Sequence, residues 1–160
     1  MATKKTLTAA LLAIGLVAGP VGTVSADAPH AHDGHGAPTM ELRLDNGRKW
    51  QTDDALRAGM SQIREVMHAS LPPIHSGRYS AADLSALGEW VQEQVHVVVA
   101  NCKLPEEADL QLHVALTQIL DGVNTMTEEG GQERGAAAIV QALNAYGDYF
   151  NHPGWKPLDY

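Results

Sequence analysis

Three of the eight histidines, His30, His32 and His35, fall within six positions among Gly, Ala and Pro residues, in the stretch Asp27-Ala28-Pro29-His30-Ala31-His32-Asp33-Gly34-His35-Gly36. Imidazole is a ligand for Cu(II), Zn(II) and Ni(II), and so short a tract can wrap its rings round one ion, with Asp33 as an oxygen donor. The plainer reading of the same residues is a solvated linker that binds metal weakly. A tight amino-terminal copper site does not fit. With Asp27 first, His30 is fourth rather than third. A chain starting at Ala28 would instead place Pro29 second, without the N–H that such a site must deprotonate.

A second set of metal-type ligands, His96, Cys102, His113 and His152, is scattered along the chain. Thiolate and imidazole together suit copper or zinc, but these four meet only if folding brings them to one level. Met60, Met67 and Met126 add thioethers, which favour Cu(I) or haem iron, although methionine at regular apolar spacing ordinarily packs a core. No Gly-x-Ser-x-Gly elbow, phosphate loop, His-Glu-x-x-His motif or nucleophile–base pair is legible, so the sequence predicts a binding protein rather than an enzyme. Lys+Arg number 11 against 19 Asp+Glu, a net charge of −8 that repels phosphate backbones and so argues against a nucleic-acid partner. One cysteine permits no internal disulfide, and no Cys-x-x-Cys-His is present for covalent haem.

The elements that must position these groups follow from patterning. Lys4 and Lys5, the apolar run Leu7 to Ala18 and the small residues Val24-Ser25-Ala26 read as a secretory signal peptide, residues 1–26, which predicts a periplasmic protein. That run is too short for a spanning helix, and no other stretch could span a membrane. Residues 27–39 then form a His-rich tail. Residues 40–51 form an extended arm, where Met40, Leu42 and Leu44 alternate before the turn signal Asp45-Asn46-Gly47. Residues 52–160 carry four apolar stripes.

Only 5% of residues are aromatic, and the abundance of Leu, Ala, Gln and Glu favours helices over a β-sandwich. Thr52 is the expected cap of the first helix, whose stripe is Leu56, Met60, Ile63 and Met67 and which should stop by Leu71, ahead of Pro72-Pro73. The second starts at Ser80-Ala81-Ala82-Asp83 and carries Leu84, Leu87, Val91, Val95, Val98 and Cys102. The third follows Pro105 with Leu112, Leu116, Ile119, Val123 and Met126 and ends by Gly130-Gly131. The fourth carries Ile139, Leu143, Tyr146 and Phe150 up to Pro153-Gly154. Four such helices bury their stripes most simply as an antiparallel, up-and-down four-helix bundle, an all-α fold preceded by a short extended arm.

In that bundle His96 and His113 stand equally far from the turn at Leu104-Pro105, and His152 falls at the same level on the fourth helix, so one end gathers three imidazoles with Cys102, Trp50 and Trp155 nearby. Angular position is less favourable. At 100° per residue His96 lies about 135° from the centre of its stripe and faces water, while Cys102 points inward. The alternative account makes Cys102 a small core residue, His113 a boundary histidine and His152 a residue favourable to the helix dipole.

The architecture over Thr52 to Phe150 resembles the small exported four-helix bundles typified by cytochrome b562 and cytochrome c-prime. That resemblance implies haem near one end of the bundle, and Met60 with His152 is the pair comparable to the b562 axial ligands. The last helix departs from the c-prime pattern, since Asn144 to His152 contains no cysteine. The phrases Leu44-Asp45-Asn46-Gly47, Asn101-Cys102-Lys103-Leu104-Pro105 and His152-Pro153-Gly154-Trp155 also resemble a group of exported bacterial proteins, a likeness that implies no activity. The leading expectation is a periplasmic protein that binds copper, or less favourably zinc, for sequestration or delivery. Non-covalent haem binding with electron transfer, and a cofactor-free stress-response module that pairs with a protein partner or as a homodimer through Val97 to Val99, are the alternatives.

Overall fold

Asp53 takes extended backbone angles and accepts the Leu56 N–H at 2.7 Å, so it caps α1 (Asp54–His75) in the computed structural model, which describes residues 41–160. The same carboxylate takes the Lys103 N–H at 2.5 Å and ties the start of α1 to the link after α2 (Ala81–Asn101). Thr52, the expected cap, instead donates its hydroxyl to the Asn151 carbonyl at 2.7 Å. Ser80 and Asp83 form the reciprocal capping box that begins α2. Pro105 precedes α3 (Glu106–Thr127), whose first turn holds Glu106, Glu107 and Asp109 where the helix dipole favours acids. The last helix is α4 (Gln132–Tyr149).

Two helix ends differ from expectation. α1 runs through Pro72-Pro73 to His75 rather than stopping at Leu71. Each proline removes a helical donor, but Leu71 and Ile74 are both buried, and burying one such side chain is worth about 1.5–3 kcal/mol. Ser76 closes the turn with its backbone N–H and its hydroxyl, both on the Pro72 carbonyl. α4 stops at Tyr149, and Phe150, read as a helical core position, is fully buried but extended. It belongs to a two-residue strand, β2 (Phe150–Asn151), paired in parallel with β1 (Trp50–Gln51).

Together these form an all-α four-helix bundle. The core is the expected stripes: Leu56, Met60, Ile63 and Met67 from α1, Leu87, Val91 and Val95 from α2, Leu112, Ile119 and Met126 from α3, Ile139, Leu143 and Tyr146 from α4. Each helix packs on its sequence neighbours, and α4 also packs on α1. Contacts join the early part of one helix to the late part of the next: Gly59 lies under Val98, and Gly88 against Val123 and Thr127. α3 and α4 approach so closely that a Cβ on Gly135 would sit 2.1 Å from the Met126 amide nitrogen.

Ahead of α1, Asp45 and Arg48 bridge a tight turn in which Asn46 and Gly47 both have positive φ, 49° and 83°. The arm is fastened to the bundle through Arg43 N–H on the Gln111 side chain at 2.6 Å and the Lys49 ammonium on the Gly147 carbonyl at 2.6 Å, and it is closed internally by the Trp50 indole on the Arg43 carbonyl at 2.6 Å. Residues 152–160 form a strap that runs back beside α4. Gly154, with φ 81°, makes the Pro153-Gly154 turn that closes with Trp155 N–H on the His152 carbonyl. Asn144 then holds Leu158 twice, donating to its carbonyl at 2.9 Å and accepting its N–H at 2.8 Å. Arg64 of α1 donates to the Lys156 carbonyl, and the Tyr160 ring meets His75 edge-on, so the strap fills the seam between α1 and α4.

Candidate functional site

Two places concentrate the polar chemistry of the described residues, and they lie on opposite seams of the bundle. The first is between α2 and α3. Val95, His96, Val99, Ala100, His113, Leu116, Thr117 and Leu120 line an open groove of about 350 Å³ in which the two imidazoles and one hydroxyl are the polar side chains. His113 is held in a defined state. Its Nδ1 lies 2.9 Å from the Asp109 carbonyl and 3.4 Å from the Asp109 carboxylate. A carbonyl oxygen only accepts, so Nδ1 carries a proton, and in the neutral ring Nε2 then carries the lone pair. His96 is exposed on the facing helix, as its angle from the stripe requires.

The second place is the α1–α4 seam at His152. Ser61 Oγ lies 3.3 Å from its Nε2, and the Tyr146 hydroxyl lies 3.0 Å from its Nδ1. Trp155 packs against both rings, with centroid separations of 4.9 Å to Tyr146 and to His152. Its indole lies on Gly147, where a Cβ would sit 2.3 Å from Trp155 Cδ1. A cavity of about 120 Å³ opens beside Ser61, Arg64, Glu65, His152, Trp155 and Lys156. Burial, then the nearby Arg57 cation, holds the His152 imidazole below its ordinary range, and burial pushes the Tyr146 phenol well above its own.

A serine hydroxyl beside an imidazole is a local nucleophile–base arrangement, and a chain separation of 91 residues hid it from motif reading. Its support differs from a catalytic triad. The third group is a phenol kept neutral by burial, which gives an imidazolium none of the charge stabilisation a buried carboxylate supplies. The arrangement reads as a latch that fixes the strap to α1 and α4.

The expected end-of-bundle cluster divides accordingly. His96 and His113 share the α2–α3 groove, whereas His152 sits between α1 and α4 with both ring nitrogens against hydroxyls. Equal height along the rod did not mean equal position around it. Cys102 is half-buried at the end of α2, and burial, then the Asp109 and Asp53 carboxylates, raise its thiol above the usual range. Among the described residues no three His, Cys, Asp or Glu side chains converge as a metal cage. Met60 is fully buried in the core and its neighbour Ser61 is the residue that meets His152. The space beside His152 is about 120 Å³, and Met60 does not line it. The signal peptide and His30, His32 and His35 lie outside the described residues. No helix among the described residues is long and apolar enough to cross a membrane. No protein-family model matches the chain, and neither a curated protein nor a solved structure does.

Proposed function

We propose that this is an exported transition-metal-binding protein, for copper before zinc, that holds the ion for sequestration or delivery and performs no catalysis. The supporting observation is His113. Metal-ligating histidines characteristically give their other ring N–H to a carbonyl or carboxylate, which fixes the tautomer and aims the lone pair. Asp109 supplies both acceptors to Nδ1, leaving Nε2 as the donor atom beside the groove shared with His96. The tract of His30, His32 and His35 adds a capture site argued from sequence alone. Cys102 and His152 are left out of the ligand set because neither lines the groove that holds His96 and His113.

Titrating the purified protein with Cu(II) and Zn(II) tests this. Replacing His30, His32 and His35 by Ala should weaken binding and leave a residual site, and adding His113→Ala should weaken that site at least about tenfold, a typical loss at perturbed metal centres. Binding no tighter than that of an unrelated acidic protein would refute the proposal.

A further inference from the structure

We propose that two copies of this chain pair across the α2–α3 groove and complete one metal site from four imidazoles, His96 and His113 of each copy. The inference rests on the metal-binding reading and adds the source of the missing ligands. Zinc is almost always four-coordinate in closed sites, and Cu(II) takes at least as many donors. One groove offers two imidazoles. The Asp109 carboxylate lies on the Nδ1 side of His113, across the ring from Nε2, so it orients the ligand and cannot reach an ion bound at Nε2. A two-fold axis over the groove doubles two ligands to four without any new residue type.

The surface around the histidines suits a second copy. Val95, Val99, Ala100, Leu116 and Leu120 line the groove, and Val99 stands 46% exposed on its α2 side. No charged side chain lines it, in a chain whose net charge is −8. Like-charged copies repel, and the groove lining itself brings no carboxylate against another, while the Asp109 carboxylate at its edge is engaged with His113 Nδ1. Size decides how strongly they hold. α2 has 21 residues. At about 1.5 Å per residue, and about 10 Å of width per helix, two adjacent helices present a face of about 600 Å². Stable interfaces bury about 800 Å² per partner, so apolar contact alone falls short and the pairing depends on metal.

The experiment uses the chain with His30, His32 and His35 replaced by Ala, titrated with Zn(II) or Cu(II) and followed by sedimentation and calorimetry. The expected result is a monomer in chelator and a dimer at saturation, with one ion bound per two chains. His96→Ala and His113→Ala should each abolish the metal-driven dimer with an unchanged far-ultraviolet circular dichroism spectrum, because both side chains are exposed. A Val99→Glu variant should block pairing while both histidines remain. A chain that stays monomeric at saturation, or a dimer indifferent to the histidine or valine substitutions, would overturn the inference. One ion bound per monomer would sink the pairing and leave the metal-binding reading standing, whereas no binding even with the leader histidines intact would sink both.

Discussion

Replacing Gly147 by Ala should destabilise this protein although Gly147 lies in a helix, where alanine is ordinarily the better residue by about 1 kcal/mol. The added methyl would sit 2.3 Å from Trp155 Cδ1 and 2.4 Å from its Nε1. The indole cannot simply swing aside, because Tyr146 and His152 pack against it. The strap must therefore lift. What a lifted strap forfeits sets the ceiling: about 2 kcal/mol for burial of Leu158, about 1 kcal/mol for each of the two Asn144 bonds, and about 1 kcal/mol for the aromatic packing. Recovered chain entropy offsets much of that sum, leaving an expected net loss of about 1–3 kcal/mol. In a Trp155→Ala background the steric conflict is gone, and the same Gly147→Ala substitution should stabilise by about 0.5–1 kcal/mol. Urea unfolding followed by circular dichroism and tryptophan fluorescence measures both arms of the cycle. If Gly147→Ala stabilises the intact protein as much as it stabilises the Trp155→Ala variant, the packing of the strap on α4 is wrong.

Two further outcomes follow from the buried titrating groups. His152 has its imidazole lowered by burial first and Arg57 second, so the unfolded chain binds the proton more readily than the fold does. Stability is complete above the ordinary imidazole value of about 6.5 and falls as pH drops below it through the lowered folded value. His152→Gln should flatten the fall in urea midpoint between about pH 7.5 and pH 5, and an unchanged slope would show that the latch histidine is not the titrating group. Cys102 should react with a disulfide reagent near pH 8 severalfold more slowly than a free thiol, because burial and the Asp109 and Asp53 carboxylates disfavour its thiolate. Unfolding in urea should restore the ordinary rate, and Asp109→Asn should raise it in the folded protein; a native rate equal to that of a free thiol would contradict the assigned environment.

The distance between what patterning reveals and what the site requires is visible in individual residues. Apolar spacing marks the face of a helix that turns inward, and Leu56, Met60, Ile63 and Met67 are fully buried as the stripe demands. The same arithmetic placed His96 in water and at the height of His113, and both features describe the α2–α3 groove. Height alone also nominated His152, which enters the opposite seam, since nothing local encodes which seam a residue past the end of a helix will enter. Long-range partners decide that: Ser61 and Tyr146 for His152, Asn144 for Leu158, Trp50 for Phe150. Composition held one usable signal for the strap. A glycine inside a helical stripe, as in Ala145-Tyr146-Gly147-Asp148, marks a close approach, and the Pro153-Gly154 turn that follows is of the right length to fold Trp155 back onto it. Pro72-Pro73 carries the opposite lesson, because local steric preference lost there to the burial of Ile74 and the Ser76 cap.

The division of labour between the two seams bears on function. The strap, the latch and the β1–β2 pair lock the α1–α4 side, with Tyr146 and Phe150 buried beneath them. No comparable strap crosses the α2–α3 side among the described residues, where Val99 remains exposed beside two imidazoles. A closed seam opposite an apolar, histidine-bearing open one is an arrangement in which the proposed ion capture could couple to pairing of copies without rearranging the core. A ligand shifts an association equilibrium only as far as it binds one state better than the other. Under the proposed pairing, two imidazoles in the monomer against four in the pair would supply that difference in affinity, and metal concentration would set the fraction of paired chains.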